Sequence, residues 1–313
     1  MTPAEPLRSI EGVATVERID GALADPDAPP TLLVEVPHGA DRRAHYDALA
    51  ARLHGPLPAD LHVFFHVNTD VGAYDYGRHV AEAVVRRLPA CAALVVRCLV
   101  PRTFIDANRL EDAGDGLASG GLTPGLAPYV RDPRDVALCV GLHRAYVALA
   151  EEAYALVCER GGFALNPHTY GPRTMGIERI DDAIVDALRA AHEPQAWARW
   201  PVRPEVDLLT RTADGTSYAP PGMAARLVDA YRGVGIEAVE GGTYVLHPST
   251  QGYRFATRYP GQTLSLEVRR DLLVERYEPF EEMRVEHARV ERVAGPLADA
   301  LVAWLEEALR TPP

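Results

Sequence analysis

The apolar positions of this chain fall into two rhythms. Runs rich in apolar and β-branched residues at 31–36, 92–100, 163–166 and 263–269, with a shorter one at 236–240, read as buried strands. The run at 61–67, where His62 and His66 flank an alternating stretch, reads as a further strand. Between these lie stretches whose apolar residues recur every three or four positions. They predict helices near 41–53, 74–88, 132–160, 181–192 and 221–232, and an amphipathic tail over 279–310. Asp132-Pro133 opens the longest helix and Gly161-Gly162 closes it, each by the backbone preference of those residues. Such alternation predicts an α/β protein with a central mixed, largely parallel sheet and helices on both faces. No repeat and no linker divides the chain, so one domain over residues 1–313 is expected. The Gly-rich passage from Ala113 to Pro128 is too long for an ordinary connection and reads as a functional loop.

Composition narrows the function. With 47% hydrophobic residues over 313 positions the chain can bury a large core, which rules out a tail or a linker. A formal charge of −12, without any basic run, argues against a nucleic-acid backbone as partner and leaves a small molecule as the expected ligand. Cys91, Cys98, Cys139 and Cys158 show no Cys-x-x-Cys spacing and read as reduced structural residues. The amino terminus lacks a basic region followed by an apolar core, and no apolar run reaches membrane-spanning length. A soluble, cytoplasmic protein with no membrane partner is therefore expected.

Three strands end in polar residues able to do chemistry. Val34-Glu35-Val36-Pro37-His38-Gly39-Ala40-Asp41 delivers an imidazole and a carboxylate at the carboxyl edge of a strand, where open α/β sheets bind ligands. Asn166-Pro167-His168 and Leu264-Ser265-Leu266-Glu267 repeat the design. If the strands share a sheet, His38, Asp41 and His168 suffice as three ligands to a zinc ion, leaving a position for water. Glu267 stands in an otherwise apolar strand, where an unpaired carboxylate is costly to bury, and acting as general base is a reason for it to be there. Arg102-Thr103-Phe104-Ile105-Asp106-Ala107-Asn108-Arg109 places two guanidiniums around an amide, a set suited to an anionic substrate or to a developing oxyanion.

Structural alternatives stand beside each of these. A strand-end histidine is often satisfied by backbone, Asp41 is also a favoured helix cap, and Asp106 and Arg109 suit an ordinary salt bridge. Asp70 reads either as a cap or as an acceptor for a ligand histidine. Cys139 and His143, four apart on a helix, read as core and groove residues. The polar loop from Tyr244 to Tyr259, which contains His247, is placed to line a cleft, with Tyr244 or Tyr253 as a phenol donor.

Taken together and in order, Val36-Pro37-His38-Gly39, Asp106-Ala107-Asn108-Arg109, Pro167-His168-Thr169 and Leu266-Glu267-Val268 resemble the motifs of the N-formylglutamate amidohydrolases, relatives of zinc carboxypeptidases. The resemblance spans about residues 31 to 275. It implies a zinc-carboxypeptidase-like fold and one zinc ion held by His38, Asp41 and His168, with Glu267 as base. Arg102 would polarise the scissile carbonyl, and Asn108 and Arg109 would hold the substrate carboxylate. Two departures matter. Gly39-Ala40 stands where the family usually has Ser, and Asn166 stands where it commonly has Asp, which leaves open what orients His168. The expected activity is hydrolysis of the amide bond of an N-acyl amino acid. The alternatives are a metallo-carboxypeptidase and a non-catalytic carboxylate binder. His and Asp ligands also suit divalent ions other than zinc.

Overall fold

The structure, a computed structural model, describes residues 7–111, 125–177 and 179–310. Most of the Gly-rich passage singled out above, residues 113–124, therefore lies outside the described residues. The chain first forms β1 (Ala14–Asp20), β2 (Leu32–Val36), α1 (Arg43–Ala50), α2 (Leu61–Asn68), α3 (Ala73–Arg87), β3 (Ala92–Cys98), α4 (Pro133–Cys158) and β4 (Phe163–Tyr170). There follow α5 (Ile184–Ala191), α6 (Pro194–Trp197), β5 (Val206–Leu209), α7 (Met223–Gly233), β6 (Ala238–Glu240), α8 (Gln251–Arg258), β7 (Thr263–Arg269) and α9 (His287–Arg310). The strands make one seven-stranded sheet in the order β1-β3-β2-β4-β7-β5-β6. Its centre, β3-β2-β4-β7, is parallel; β1 runs antiparallel to β3, and β5 antiparallel to β7 with β6 parallel beside it.

Every residue of β2 and β4 is buried, because both faces of the sheet are covered. On one face Leu33, Leu94, Val96 and Ala164 pack with residues of α1, α2, α4, α5 and α8; on the other, Val34, Leu165, Leu266 and Val268 pack with α3, α7 and α9. The expected mixed, largely parallel sheet with helices on both faces is what forms. Helix α3 approaches it closely at Gly77, where a Cβ would lie 2.6 Å from Val34 Cγ1 and 3.0 Å from Pro167. Of the described helices, none is long and apolar enough to cross a membrane.

Four readings of the sequence are corrected. The polar loop expected over residues 244–259 contains helix α8, which Thr250 opens by accepting from the Tyr253 amide. Residues 61–68 are helix α2, not a strand: Leu61, Val63, Phe64, Phe65 and His66 are all buried, so this run is covered on most of its surface and its hydrophobic period carries no information. Strands β1 and β5 went unread. The first is an edge strand with Glu17, Arg18 and Asp20 in its run, and the second has only four residues and carries a fully buried Asp207. The tail helix begins at His287, eight positions later than the pattern at 279 suggested, after an extended segment bridged through Val285 to Val274.

Candidate metal centre and substrate cavity

The carboxyl ends of the parallel strands carry the candidate residues. Pro37-His38 follows directly on β2, and Gly39 allows a close turn there: a Cβ would meet Arg97 Cγ at 2.4 Å and the Cys98 carbonyl at 2.9 Å. The parallel register of β4 and β7 sets His168 directly beside Glu267. Asp70 arrives from the connection between α2 and α3, which is pinned to the turn after β2 by Thr69 Oγ1 donating to the Ala40 carbonyl at 2.8 Å.

Three acceptor atoms meet at this point. His38 Nδ1 and His168 Nδ1 are 3.1 Å apart, and Asp70 Oδ2 lies 3.1 Å from the first and 3.0 Å from the second. All three side chains are buried. The outer nitrogens of the two rings decide where the protons are. His38 Nε2 is 2.7 Å from Asp106 Oδ1, a carboxylate that Arg102, His38 and Arg109 hold well below the usual range even though burial alone would raise it. His168 Nε2 is 2.9 Å from Asn166 Oδ1. That amide is fixed in orientation, since its nitrogen donates to the Glu35 carbonyl and carboxylate and its oxygen accepts from Ser265 Oγ. Asn108 Nδ2 sits farther from the ring, at 3.5 Å. An imidazole that donates outward from Nε2 as a neutral ring turns its Nδ1 lone pair toward the other ring and toward Asp70.

Burial would raise Asp70, but His38, His168 and Arg102 hold it well below the usual carboxylate range, so it adds a negative oxygen to the same point. Such a triangle needs a positive charge at its centre, either a proton on one ring or a cation. Two imidazole nitrogens and a carboxylate oxygen are a zinc donor set. Their separations are close to the edge of about 3.3 Å for a tetrahedron built from bonds of about 2.0–2.1 Å. The residues present fit the metal. Asp106 and Asn166 supply the outer hydrogen bonds that metal-ligating histidines ordinarily make. The orientation of His168, left open by the departure at Asn166, is thus provided by Asn166 itself, two residues upstream on β4.

Asp41, expected as the third ligand, lies outside this group. The turn at Gly39 carries it toward β3, where its Oδ1 accepts from Arg97 Nη2 at 2.6 Å while Arg97 Nε donates to the Gly39 carbonyl at 2.8 Å. Nor does Asp41 cap α1, whose cap position is Arg42. The carboxylate in the triangle is Asp70. It does not cap a helix either, since the cap of α3 is Gly72. The sequence signal for it was an acid set between buried Thr69 and Val71, at the end of an apolar helix.

Arg102 is clamped, donating to Asp70 Oδ1 at 3.2 Å and to Asp106 Oδ2 at 2.9 Å, while it lines the cavity in front of the histidines. Asn108 and Arg109 line the same cavity. Their loop is tied down from beneath: Asn108 Oδ1 accepts from the Gly252 amide at 3.1 Å, and the Arg109 carbonyl accepts from His143 Nε2 at 2.8 Å. Cys139 belongs to the core, as expected, and His143 is buried beneath this loop. Arg109 Nη2 is 4.0 Å from Asp106, and burial pulls its guanidinium below the usual range.

Glu267 completes the wall. Its Oε2 is shut off from solvent and has no hydrogen-bond partner. Burial pushes the carboxyl up to about 7 against the opposing pull of His168, and Asp70 adds to the rise. From the other side comes Tyr244, on a turn held by the buried Asp207, which accepts from the amides of Gly242, Thr243 and Tyr244. His247 also lines this cavity of about 290 Å³. The site therefore brings together His38, His168, Glu267, Arg102, Asn108 and Arg109, exchanges Asp41 for Asp70, and adds Asp106 and Asn166.

In class, the molecule is an α/β protein built on a mixed sheet with its candidate centre at the carboxyl edge of the parallel strands. That architecture is similar to the crystal structure of N-formylglutamate amidohydrolase from Ralstonia eutropha JMP134, with a TM-score of 0.58 and 19% identity, covering 96% of this chain and 99% of that one. It is also similar to a gene product of Agrobacterium tumefaciens, with a TM-score of 0.54 and 17% identity over 96% of both chains. At these identities the likeness is one of fold, and the resemblance drawn from the motifs is met at that level. No protein-family model matches the sequence, and no curated protein does.

Proposed function

We propose that this chain is a zinc-dependent hydrolase of the amide bond in an N-acyl amino acid or a related small carboxylate. The observation that carries the reading is the convergence of His38 Nδ1, His168 Nδ1 and Asp70 Oδ2 within 3.1 Å of one another, beside a carboxylate oxygen of Glu267 that has no hydrogen-bond partner among the described residues. His38, Asp70 and His168 would hold the metal. When bound, it supplies Lewis acidity, which lowers the pKa of water and polarises a carbonyl oxygen.

The chain's own residues do the rest. Asn108 and Arg109 hold the substrate carboxylate, a task for which a guanidinium fork and an amide donor are suited. Glu267, whose carboxyl burial pushes up to about 7, accepts a proton from the attacking water in its ionised form. The water oxygen bonds to the acyl carbon, and Arg102 steadies the negative charge that develops on the carbonyl oxygen. Glu267 then passes its proton to the nitrogen as the carbon–nitrogen bond breaks, releasing a carboxylic acid and a free amine. Atoms balance with one water consumed.

The experiment pairs metal analysis with product detection. One zinc per chain, with acid and amine released in equal amounts from N-acyl amino acids, is expected. Failure of the purified protein to bind zinc at micromolar levels rejects the proposal. Release of carboxyl-terminal residues from dipeptides, with N-acyl amino acids left intact, would move it to a metallo-carboxypeptidase.

A further inference from the structure

We propose that the acyl group accepted by this cavity is an aliphatic or aryl chain, larger than formyl or acetyl; this rests on the amide-hydrolase reading above. The polar contacts around the centre connect one to the next, as a line of contacts. Arg109 lies 4.0 Å from Asp106, Arg102 spans Asp106 and Asp70, and Arg270 lies 3.8 Å from Asp70 while its Nη1 donates to the Val67 carbonyl at 2.5 Å. One end of the line is the carboxylate-binding pair, Asn108 and Arg109. The other end is the C-terminus of α2. In this proposal an amide whose amino-acid carboxylate sits on Arg109 and whose carbonyl faces the centre sends its acyl group toward Val67.

Most of the wall at that end is apolar, with the Asn68 amide beside Val67. Phe64 and Val67 stand one turn apart on α2, Ile184 and Leu188 one turn apart on α5, and Ile177 and Ile180 come from the segment after β4, all six lining the cavity. None carries a hydrogen-bonding side-chain group. Arg173, which also lines the cavity, has its guanidinium over the Trp197 ring at 5.7 Å and donates from Nη1 to the Trp200 carbonyl. A formyl hydrogen leaves these side chains uncovered, and water gains no partners among them. An alkyl chain or ring covers them, and each methylene taken out of water strengthens association by about fourfold.

The test is a series of N-formyl, N-acetyl, N-butanoyl, N-hexanoyl and N-benzoyl derivatives of glutamate and of leucine, with kcat/KM measured on the zinc-loaded protein. Calorimetric binding of the product acids formate and hexanoate is measured alongside. The expected result is a rise of about fourfold per methylene from acetyl to hexanoyl. Ile177→Asn should lower the hexanoyl-to-acetyl ratio by about tenfold, and hexanoate should bind more tightly than formate. Turnover that is highest for formyl and falls with chain length overturns the inference while leaving amide hydrolysis standing. If no member is hydrolysed, the enzyme reading fails, and hexanoate binding no more tightly than formate then overturns this inference as well.

Discussion

Replacing Asp70 by Asn and, separately, Asp41 by Asn puts the composition of the centre to a direct test. Asp70 Oδ2 faces both ring nitrogens within 3.1 Å, whereas Asp41 is committed to Arg97. Asparagine at 70 keeps the shape but removes the charge, and its amide nitrogen, turned inward, sets a donor where a cation would sit. Loss of a ligand should weaken zinc by more than the 10–100-fold typical of losing an outer hydrogen bond, so about 100-fold is a lower bound. The consequence can be read as stability. At a free zinc concentration of about 1,000 times Kd, the wild type gains roughly 4.1 kcal/mol from the metal; after a 100-fold loss the same concentration is about 10 times Kd and the gain is roughly 1.4 kcal/mol. Urea unfolding with and without zinc measures that difference of about 2.7 kcal/mol, and chelator competition gives the affinity itself. Asp70→Asn should also cost the apo protein about 3–5 kcal/mol, because Arg102 and Arg270 lose a buried partner, so the zinc-induced increment rather than the absolute stability is diagnostic. Asp41→Asn should lose stability of about 1–3 kcal/mol and keep its zinc increment. An Asp70→Asn protein with the full increment, or an Asp41→Asn protein without one, refutes the assignment.

Glu267→Gln should retain zinc by elemental analysis and lose turnover. In the wild type kcat/KM should climb as pH rises through about 7, since the ionised carboxylate is the working form, and a profile flat from pH 5 to 8 would remove Glu267 from the base role. Asn166→Leu strips the acceptor from His168 Nε2 and should weaken zinc by about 10–100-fold in chelator competition; unchanged affinity would show that the ring needs no such anchor. Glu35, buried between Tyr146 and Asn166, has its carboxyl pushed up to about 7 by burial from an ordinary value of 4.5. Between those values the folded state binds the extra proton, so stability is fully present below about 4.5 and falls as pH rises toward 7, by about 3 kcal/mol at most. Glu35→Gln should flatten that slope in urea unfolding measured between pH 5 and 8, and an undiminished slope would place its origin elsewhere.

Much of this architecture was legible because the central strands are buried on both faces. Strands β2 and β3 have no solvent side and are almost wholly apolar, while β4 and β7 carry the apolar residues Phe163, Ala164 and Leu165 and Leu264, Leu266 and Val268 that announce them. The same circumstance hid α2, since a helix covered nearly all round loses its period, and it hid β5, where Asp207 looks like a turn residue yet serves a turn elsewhere in the chain. At the centre, His38, His168 and Glu267 could be found because each is the one polar intruder at the end of an apolar run. Asp70 could not be chosen over Asp41 from the sequence. That choice depends on Arg97, a side chain on a neighbouring strand, and on the contact from Thr69 to Ala40, neither of which leaves a trace in local spacing. Asn166 was noticed as a departure from a family pattern, but only the fixed orientation of its amide shows that it answers the need of His168.

The two imidazoles that face one another are separated by 130 positions, and the carboxylate between them comes from a third stretch. In a zinc finger the ligands lie close in sequence and the ion can organise a nascent chain. Here a growing polypeptide has no complete chelate until β4 has left the ribosome and been inserted next to β2. On the proposed reading metal capture would be a late event in biogenesis, and the uptake of one zinc equivalent would serve as a reporter that the centre of the sheet has closed.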